Sequence, residues 1–550
     1  MTKILRRIVP LTAILLVTAC FNVVRAQQNP AANMYDLVLR NARIVDGTGS
    51  PWYRADLAIR GDTIARIAPS IREPASRVID IGDLVVAPGF IDIHTHASRA
   101  IFEVPTADNY IRQGVTTIME GADGGGSGLA GGLPAPIKPF LDRLETTAKS
   151  INVATFVGQG AVRERVIGLA NRAPSADELE RMREVVRQAM RDGAFGLSTG
   201  LFYVPGAFTP LEEVVELQKV VAPFRGVHTS HMRDEASRVV ESVKETIAIG
   251  ELGGVPTHVS HHKIIGKAYW GKSVETLKVI DAARARGVDV TMDQYPYTAS
   301  ATTIQAALLP QWAMEGGIEG AKARLKEPAT RARIKAETMN ILLTERGGGD
   351  PKNVAIVTCE WDPALAGKHL GEITQARGFE PTIENAAETA FWLVESGGCR
   401  GIFHAMGEED LERILVHPAT MIASDGEIPI FGRTAPHPRS YGTFARILSH
   451  YVREKGIITL EDAVRKMSSF PAARVGFVDR GVLRPGMKAD IAVFDPARVR
   501  DMATFEKPHQ YAEGFSYVIV NGQIVYENGA MTSARSGRVI YGPGKNLAVQ

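Results

Sequence analysis

The middle of the chain alternates between helical and extended patterns, with a new strand roughly every thirty residues. Helical runs over 211–221, 237–252 and 273–286 are each followed by a short apolar run, at 226–230, 256–260 and 288–292. Parallel strands joined through helices are the repeating unit of α/β proteins. The repetition predicts a (β/α)₈ TIM-like barrel, although an open doubly wound sheet would alternate in the same way.

Both ends of the chain are rich in short β patterns. Residues 35–86 contain four such runs and residues 479–550 contain three, the last two of which flank the hairpin dipeptide Asn521-Gly522. We expect the two ends to form one small β-sandwich domain. That arrangement favours a barrel over an open sheet, and we place the barrel at residues 87–478. The glycine-rich and helical stretch at about 304–400 is interpreted as an insertion in this barrel.

The first 26 residues predict an export signal, because basic residues precede an apolar run at 8–19 that is too short to cross a membrane. Residues 24–26 form a plain cleavage site, which we prefer, and residues 17–20 resemble a lipobox that would leave a lipid-anchored Cys20. A misassigned start or a retained signal anchor is the remaining alternative. We therefore expect an exported protein, periplasmic or secreted, and no later stretch predicts a membrane span.

Cysteine content and charge exclude several classes of protein. The only cysteines are Cys20, Cys359 and Cys399, which excludes a disulfide framework and a CxxC metal site. If Cys20 is removed with the signal, the other two can pair in an oxidising compartment or remain core thiols. The net charge of +2 gives no basic field for a nucleic-acid partner.

Histidines gather where predicted strands end. His94 and His96 end the run Ala-Pro-Gly-Phe-Ile-Asp-Ile-His-Thr-His, and side chains two apart on a strand share a face, so both imidazoles can reach one metal ion. His231 and His261 also follow predicted strands, whose carboxyl ends converge in a barrel. Independent structural roles would not place six of 13 histidines in three short segments: His94, His96, His228, His231, His261 and His262.

Other polar residues at predicted strand ends suit amide hydrolysis. Asp425 ends an apolar run and can take a proton from metal-bound water, the alternative being a surface Asp-Gly turn. Lys263 and Arg439 can hold a carboxylate, or they are solvated charges. Tyr295 and Tyr297 follow another strand, where one hydroxyl can polarise a carbonyl or both rings simply pack.

Together these segments resemble the amidohydrolase superfamily. The runs 231–235 (His-Met-Arg-Asp-Glu), 260–263 (Ser-His-His-Lys) and 437–439 (His-Pro-Arg) resemble the N-acyl-D-amino-acid deacylases, or D-aminoacylases, from about Tyr35 to the chain end. The resemblance implies a zinc-dependent enzyme that cleaves the amide bond of a small N-acylated amino acid. It also implies residue roles: His94 and His96 at one metal position, His231 and His261 at the tightly held zinc, Asp425 as general base, and Lys263, Arg439 and a tyrosine at the substrate.

One position departs from the family motif. The family has a metal-binding cysteine after its Gly-Val-Thr-Thr strand, where this chain has Asp123, with Glu120 as the competing ligand. We prefer Asp123. A carboxylate is harder than a thiolate and favours a second divalent ion, so the alternatives are one or two Zn²⁺. The change keeps two other functions open: an exported metal-dependent dipeptidase or cyclic amidase of the same superfamily, and a non-catalytic exported binding protein on the same fold.

Overall fold

The computed structural model describes residues 34–127 and 132–547. The predicted signal segment, with Cys20, lies outside these ranges. Within them, none of the helices combines the length and the hydropathy that a membrane crossing needs.

The described part of the chain begins with five strands, three of which contain the predicted β runs. β3 and β4 were not predicted from the sequence because most of their side chains are exposed or half-buried and show no clear alternation. The strands are β1 (Tyr35–Ile44), β2 (Tyr53–Arg60), β3 (Thr63–Ala68), β4 (Ala75–Asp80) and β5 (Val85–Pro88).

Parallel strands then form the barrel, with helices between them. The strands are β6 (Phe90–Asp92), β7 (Val115–Glu120), β8 (Asn152–Thr155), β9 (Val157–Gly158), β10 (Gly196–Gly200), β11 (Val227–His231), β12 (Thr257–Val259) and β13 (Val290–Gln294). The helices are α1 (Asp108–Ile111), α2 (Lys138–Thr146), α3 (Gln159–Ile167), α4 (Ala176–Asp192), α5 (Leu211–Val221), α6 (Val239–Gly253) and α7 (Ser273–Ala285).

The predicted helices at 211–221, 237–252 and 273–286 coincide with α5, α6 and α7 apart from terminal residues. β13 begins later than the predicted run at 288–292. Gly287 has a φ of 90°, and Val288 donates a backbone hydrogen bond back to Ala283 (3.1 Å), so these residues end α7 instead of starting the strand.

An insertion leaves the barrel after β13. Its three strands pair antiparallel in the order β14-β16-β15, and its helices enclose a separate apolar core. Cys359 and Cys399 form a disulfide in this core, so of the two alternatives for these cysteines the structure shows pairing. The elements are β14 (Ser300–Thr303), α8 (Ile304–Leu308), α9 (Gly317–Leu325), α10 (Pro328–Thr344), β15 (Val354–Thr358), α11 (Leu370–Ala376), α12 (Ile383–Ser396) and β16 (Arg400–Phe403).

The chain then completes the barrel and returns to the first sheet. α13 (Glu408–Val416) leads to the last barrel strand, β17 (Thr420–Ile422). The remaining elements are α14 (Arg439–Arg446), α15 (Leu460–Met467), α16 (Ser469–Val475), β18 (Ile491–Phe494), β19 (Phe515–Val520), β20 (Gln523–Glu527) and β21 (Ala530–Met531).

Pairing closes the barrel into a ring. The strands pair in parallel as β6-β7-β8 and as β9-β10-β11-β12-β13-β17, and β8 and β9 are separated only by Phe156. A parallel bridge between Thr95 and Gly426 joins the ends of β6 and β17. The eight-stranded barrel that results brings the carboxyl ends of all its strands to one mouth.

The two chain ends share one nine-stranded sheet, in the order β21-β20-β19-β18-β5-β1-β2-β3, with β4 also paired to β1. Side chains of β18 alternate: Ile491 and Val493 join a core made by both ends, and Ala492 and Phe494 join the core shared with the barrel. The ring of Phe90 in β6 is tilted against that of Phe494, with the ring centroids 6.3 Å apart, so this sheet packs directly against the first barrel strand.

Candidate metal centre

Six of the predicted site residues converge at the carboxyl end of the barrel. Each one ends or directly follows a strand, so the parallel register of the barrel brings them together although they are far apart in sequence. Five are buried and His96 is nearly so. The six are His94 and His96 after β6, Asp123 after β7, His231 at the end of β11, His261 after β12, and Asp425 after β17.

The carboxylate of Asp123 lies among four imidazoles. Oδ1 is 3.3 Å from His94 Nε2, and Oδ2 is 3.5 Å from His96 Nε2, His231 Nδ1 and His261 Nε2. Tetrahedral ligands held about 2.1 Å from one zinc ion lie roughly 3.4 Å from one another, which is the spacing found here.

The donors form two groups that share Asp123. Within each group the ligand atoms lie within 4.8 Å of one another. The Asp123 carboxylate has an oxygen within 3.5 Å of every histidine in both groups, which makes it a suitable bridging ligand between two divalent ions. The groups are His94, His96, Asp123 and Asp425, and Asp123, His231 and His261.

Unpartnered polar atoms support a cation at this place. Among the described residues, the buried atoms His94 Nε2, Asp123 Oδ1 and both ring nitrogens of His231 have no hydrogen-bond partner. A buried polar atom left without a partner costs about 1–3 kcal/mol. Imidazole and carboxylate are typical zinc ligands, so the chemistry of the donor set fits that metal.

The backbone is strained at three of these positions. Asp123, His261 and Asp425 have φ values of 56°, 35° and 51°, in the left-handed region that residues other than glycine rarely adopt. Each such residue costs of order 1–3 kcal/mol, and such residues cluster at functional sites. The surrounding structure therefore holds these side chains in the cluster against their backbone preference.

Asp425 is an ionised carboxylate at the edge of the cluster. Oδ1 is 3.0 Å from His96 Nε2, and Oδ2 accepts a hydrogen bond from Arg439 Nη1 at 2.6 Å. Burial alone would raise its pKa, but the Arg439 guanidinium and the imidazoles of His94 and His96 hold the pKa of Asp425 well below its usual range. The carboxylate is thus free to accept a proton at neutral pH.

The predicted substrate cations lie beside the ligands. Lys263 is ion-paired with Glu235, and its Nζ lies 2.7 Å from His261 Nδ1. The Arg439 guanidinium lies over the ring of Tyr295 at 4.7 Å. Lys263, Arg439 and Tyr295 therefore border one region next to the metal ligands.

The structure does not bring Tyr297 into this region. After β13 the chain turns, because the Tyr297 amide donates to the Tyr295 carbonyl (3.0 Å) and not to a neighbouring strand. The ring of Tyr297 packs on His437 and lies under Arg446, at 5.3 Å and 5.1 Å. The prediction that it borders the substrate is not supported by its position.

Glu120, the competing ligand, is engaged elsewhere. Its carboxylate accepts hydrogen bonds from the hydroxyl of Thr95 and from the backbone N–H of Ala97. It belongs to neither donor group found among the described residues. Of the two candidates on this loop, the structure places Asp123 in the cluster.

Sequence reasoning missed two site residues. Asp293, near the end of β13, lies 2.7 Å from His258 Nε2 and 3.8 Å from His94 Nδ1. It therefore borders His94 at the ring nitrogen that does not face Asp123. Its place at a strand end was a usable signal. Tyr203 has its ring centroid 4.7 Å from that of His231, but no local pattern singles it out.

Two glycines lie where the Asp123 loop and β10 are in close backbone contact. A Cβ on Gly200 of β10 would lie 2.1 Å from the Asp123 carbonyl oxygen, and one on Gly124 would lie 2.6 Å from Gly200 N. We expect Gly200→Ala to displace Asp123 and to lower bound zinc at least tenfold at limiting metal, measured by mass spectrometry of dialysed protein. Gly271→Ala is the control for backbone strain alone, because Gly271 has a φ of 93° but a Cβ there meets nothing within 4 Å. Equal metal content in the two variants would contradict the account.

Comparison with known proteins agrees with this geometry. The sequence matches the amidohydrolase family over residues 77–526. It is 36% identical to a D-aminoacylase of Alcaligenes xylosoxydans xylosoxydans over 92% of this chain and 97% of that protein. An N-acyl-D-glutamate deacylase of the same organism is also 36% identical, over 92% and 96% of the two chains.

A solved structure gives the same result for the fold. N-acyl-D-glutamate deacylase from Bordetella bronchiseptica, complexed with zinc and a phosphonate mimic of the tetrahedral intermediate, superposes with a TM-score of 0.78 at 34% identity, over 92% of this chain and 100% of that one. The family match over residues 77–526 includes the barrel and the part of the terminal sheet formed by β5, β18, β19 and most of β20. This chain therefore belongs to the amidohydrolase family.

Proposed function

We propose that this chain is a zinc-dependent hydrolase that cleaves the amide bond of N-acyl-D-amino acids, yielding a carboxylate and a free D-amino acid. The observation that supports it most strongly is the Asp123 carboxylate among four imidazoles, beside the ionised Asp425. The relatives described above are named as enzymes of this class.

The donor groups suit one or two zinc ions. Asp123, His231 and His261 would hold one ion, and His94, His96 and Asp425 would surround a second position with Asp123 shared. When bound, zinc supplies Lewis acidity toward the scissile carbonyl and lowers the pKa of water in its coordination sphere.

Asp425 acts as the general base. Its Oδ1 faces the cluster and its Oδ2 accepts a hydrogen bond from Arg439, so these two contacts fix the orientation of the carboxylate toward the metal ligands. It takes a proton as the water oxygen attacks the acyl carbon. It then delivers that proton to the amide nitrogen as the C–N bond breaks, which releases the amine.

Three further side chains orient the substrate. Lys263 and Arg439 present positive charge to the α-carboxylate, and Arg439 can do so through the N–H groups that do not bind Asp425. Burial raises the pKa of the Tyr295 hydroxyl well above its usual range, so it remains a protonated donor. We infer that this hydroxyl donates a hydrogen bond to the carbonyl oxygen and stabilises the negative charge that develops there.

We also infer that the chain is exported, to the periplasm or beyond the cell, with lipid anchoring through Cys20 as the alternative to plain cleavage. The pattern of the first 26 residues supports export. The disulfide between Cys359 and Cys399 is consistent with an oxidising compartment.

A paired panel of substrates tests the activity. We expect protein lacking residues 1–26 to release amine from N-acetyl-D-amino acids and not from the L enantiomers, and only with zinc present. The panel includes dipeptides and cyclic imides. Cleavage confined to those compounds would replace the proposal with a dipeptidase or cyclic amidase, and bound metal without any cleavage would favour a binding protein.

Asp425→Asn tests the base. The amide keeps the size of the side chain and cannot accept the proton, so we expect kcat to fall about 10³-fold while the protein retains at least one zinc ion through Asp123, His231 and His261. Glu427→Gln is the matched control, because it removes a carboxylate from the same loop that is paired with Arg400. Normal turnover by Asp425→Asn would exclude the role.

A further inference from the structure

A cavity of about 650 Å³ adjoins the metal centre, between the barrel mouth and the insertion. Phe202 and Glu235 line it on the barrel side, and Leu309 and Trp312 line it on the insertion side. The Phe202 ring lies 5.4 Å from the ring of His231, and Glu235 Oε2 lies 3.7 Å from His231 Nε2. The side chains of Phe202 and Glu235 therefore lie between this cavity and His231, a proposed zinc ligand. The volume of the cavity is typical of a small-molecule site.

Arg346 places a guanidinium in the wall of this cavity. The residue follows α10, lines the cavity and is 4% exposed. Its guanidinium lies over the Phe202 ring at 5.0 Å, and Nη1 donates to Ser300 Oγ at 3.2 Å. An arginine has five N–H donors, and the bond to Ser300 is the one hydrogen bond of this side chain among the described residues.

The carboxylates around the cavity are committed to other partners. Glu235 Oε2 is 3.9 Å from Arg346 Nη2, but the same carboxylate is ion-paired with Lys263 and reaches His261 Nδ1 at 3.2 Å. Asp234 accepts from the backbone N–H of residue 236, and Glu337 accepts from the indole of residue 312. Burial raises the pKa of the Glu345 carboxyl, which favours its neutral form.

The backbone holds Arg346 in a fixed position relative to Lys263. Gly266, three residues after Lys263, has a φ of 91°, and a Cβ there would lie 2.3 Å from the Thr344 carbonyl oxygen. The Arg346 amide in turn donates to the Ile341 carbonyl at 3.0 Å. The loop after β12 and the end of α10 are therefore in backbone contact, so the two cations are positioned before any ligand arrives.

We propose that Arg346 is a specificity-determining residue, which selects N-acyl-D-amino acids that have a second carboxylate. The inference rests on the proposed function. With the amide at the metal centre and the α-carboxylate at Lys263 and Arg439, a second carboxylate that extends into the cavity meets the spare N–H donors of Arg346, which can bind it in the bidentate geometry. The second carboxylate belongs either to the amino-acid side chain or to the acyl group.

Kinetics on matched substrates test the proposal. Wild-type protein is compared with Arg346→Met on N-acetyl-D-glutamate and its neutral isostere N-acetyl-D-glutamine, and on N-succinyl-D-leucine and N-acetyl-D-leucine. We expect wild type to favour the carboxylate member of one pair at least tenfold in kcat/KM. The pair that shows the preference identifies the source of the carboxylate.

In Arg346→Met the preference should be lost because KM rises for the substrate with a second carboxylate. For the substrate without one, kcat/KM should change by less than threefold. Arg346→Lys keeps the charge without the bidentate geometry and should retain part of the preference. Arg238→Met is the matched control: it lines the same cavity, but its side chain is 67% exposed, so the preference should remain.

Three results would overturn the proposal: no preference in wild type for either carboxylate substrate, a preference that Arg346→Met retains, or an equal loss on all four substrates in Arg346→Met, which would indicate a structural role. If wild type cleaves none of the four, the proposed function fails on its own. Calorimetric binding of N-acetyl-D-glutamate and N-succinyl-D-leucine to zinc-loaded wild type and Arg346→Met then decides the role of Arg346, since equal affinities would exclude it.

Discussion

The contact between one buried carboxylate and four imidazoles determines how this site is built. Asp123 would be expensive to bury alone, and it is accommodated because histidines from three other strands surround it. Its own backbone is in the left-handed region, and a Cβ at Gly200 or Gly124 would clash with the backbone contact between this loop and β10. The unpartnered nitrogens and oxygen that remain are the atoms a divalent cation would satisfy.

The closure of the barrel gives this cluster its base. Where β6 meets β17, the Asp425 amide donates to the His94 carbonyl and the His96 amide donates to the Gly426 carbonyl, at 2.9 Å and 2.7 Å. These bonds place the last strand beside the first, which brings the proposed base next to two proposed ligands. Phe90 in β6 also contacts Phe494 and Phe515 of the terminal sheet, so the strand that presents His94 and His96 packs against that sheet.

The sequence predicted what depends on local pattern. Helices such as α5 follow from amphipathic spacing, and His94 and His96 follow from the two-residue period of a strand. What the sequence did not predict depends on tertiary contacts. The ring of Tyr297 packs on His437 and Arg446 after the turn that follows β13, and Arg346 reaches the barrel mouth through the packing of an insertion against a distant loop. No spacing in the sequence encodes either arrangement.

Anomalous diffraction at the zinc edge, from crystals of residues 27–550 grown with zinc, tests the central claim most directly. The account predicts a peak within about 2.0–2.3 Å of Asp123, His231 and His261, and any second peak between Asp123, His94 and His96. A well-ordered barrel mouth without anomalous density, or a peak bound by Glu120 and away from Asp123, would contradict it.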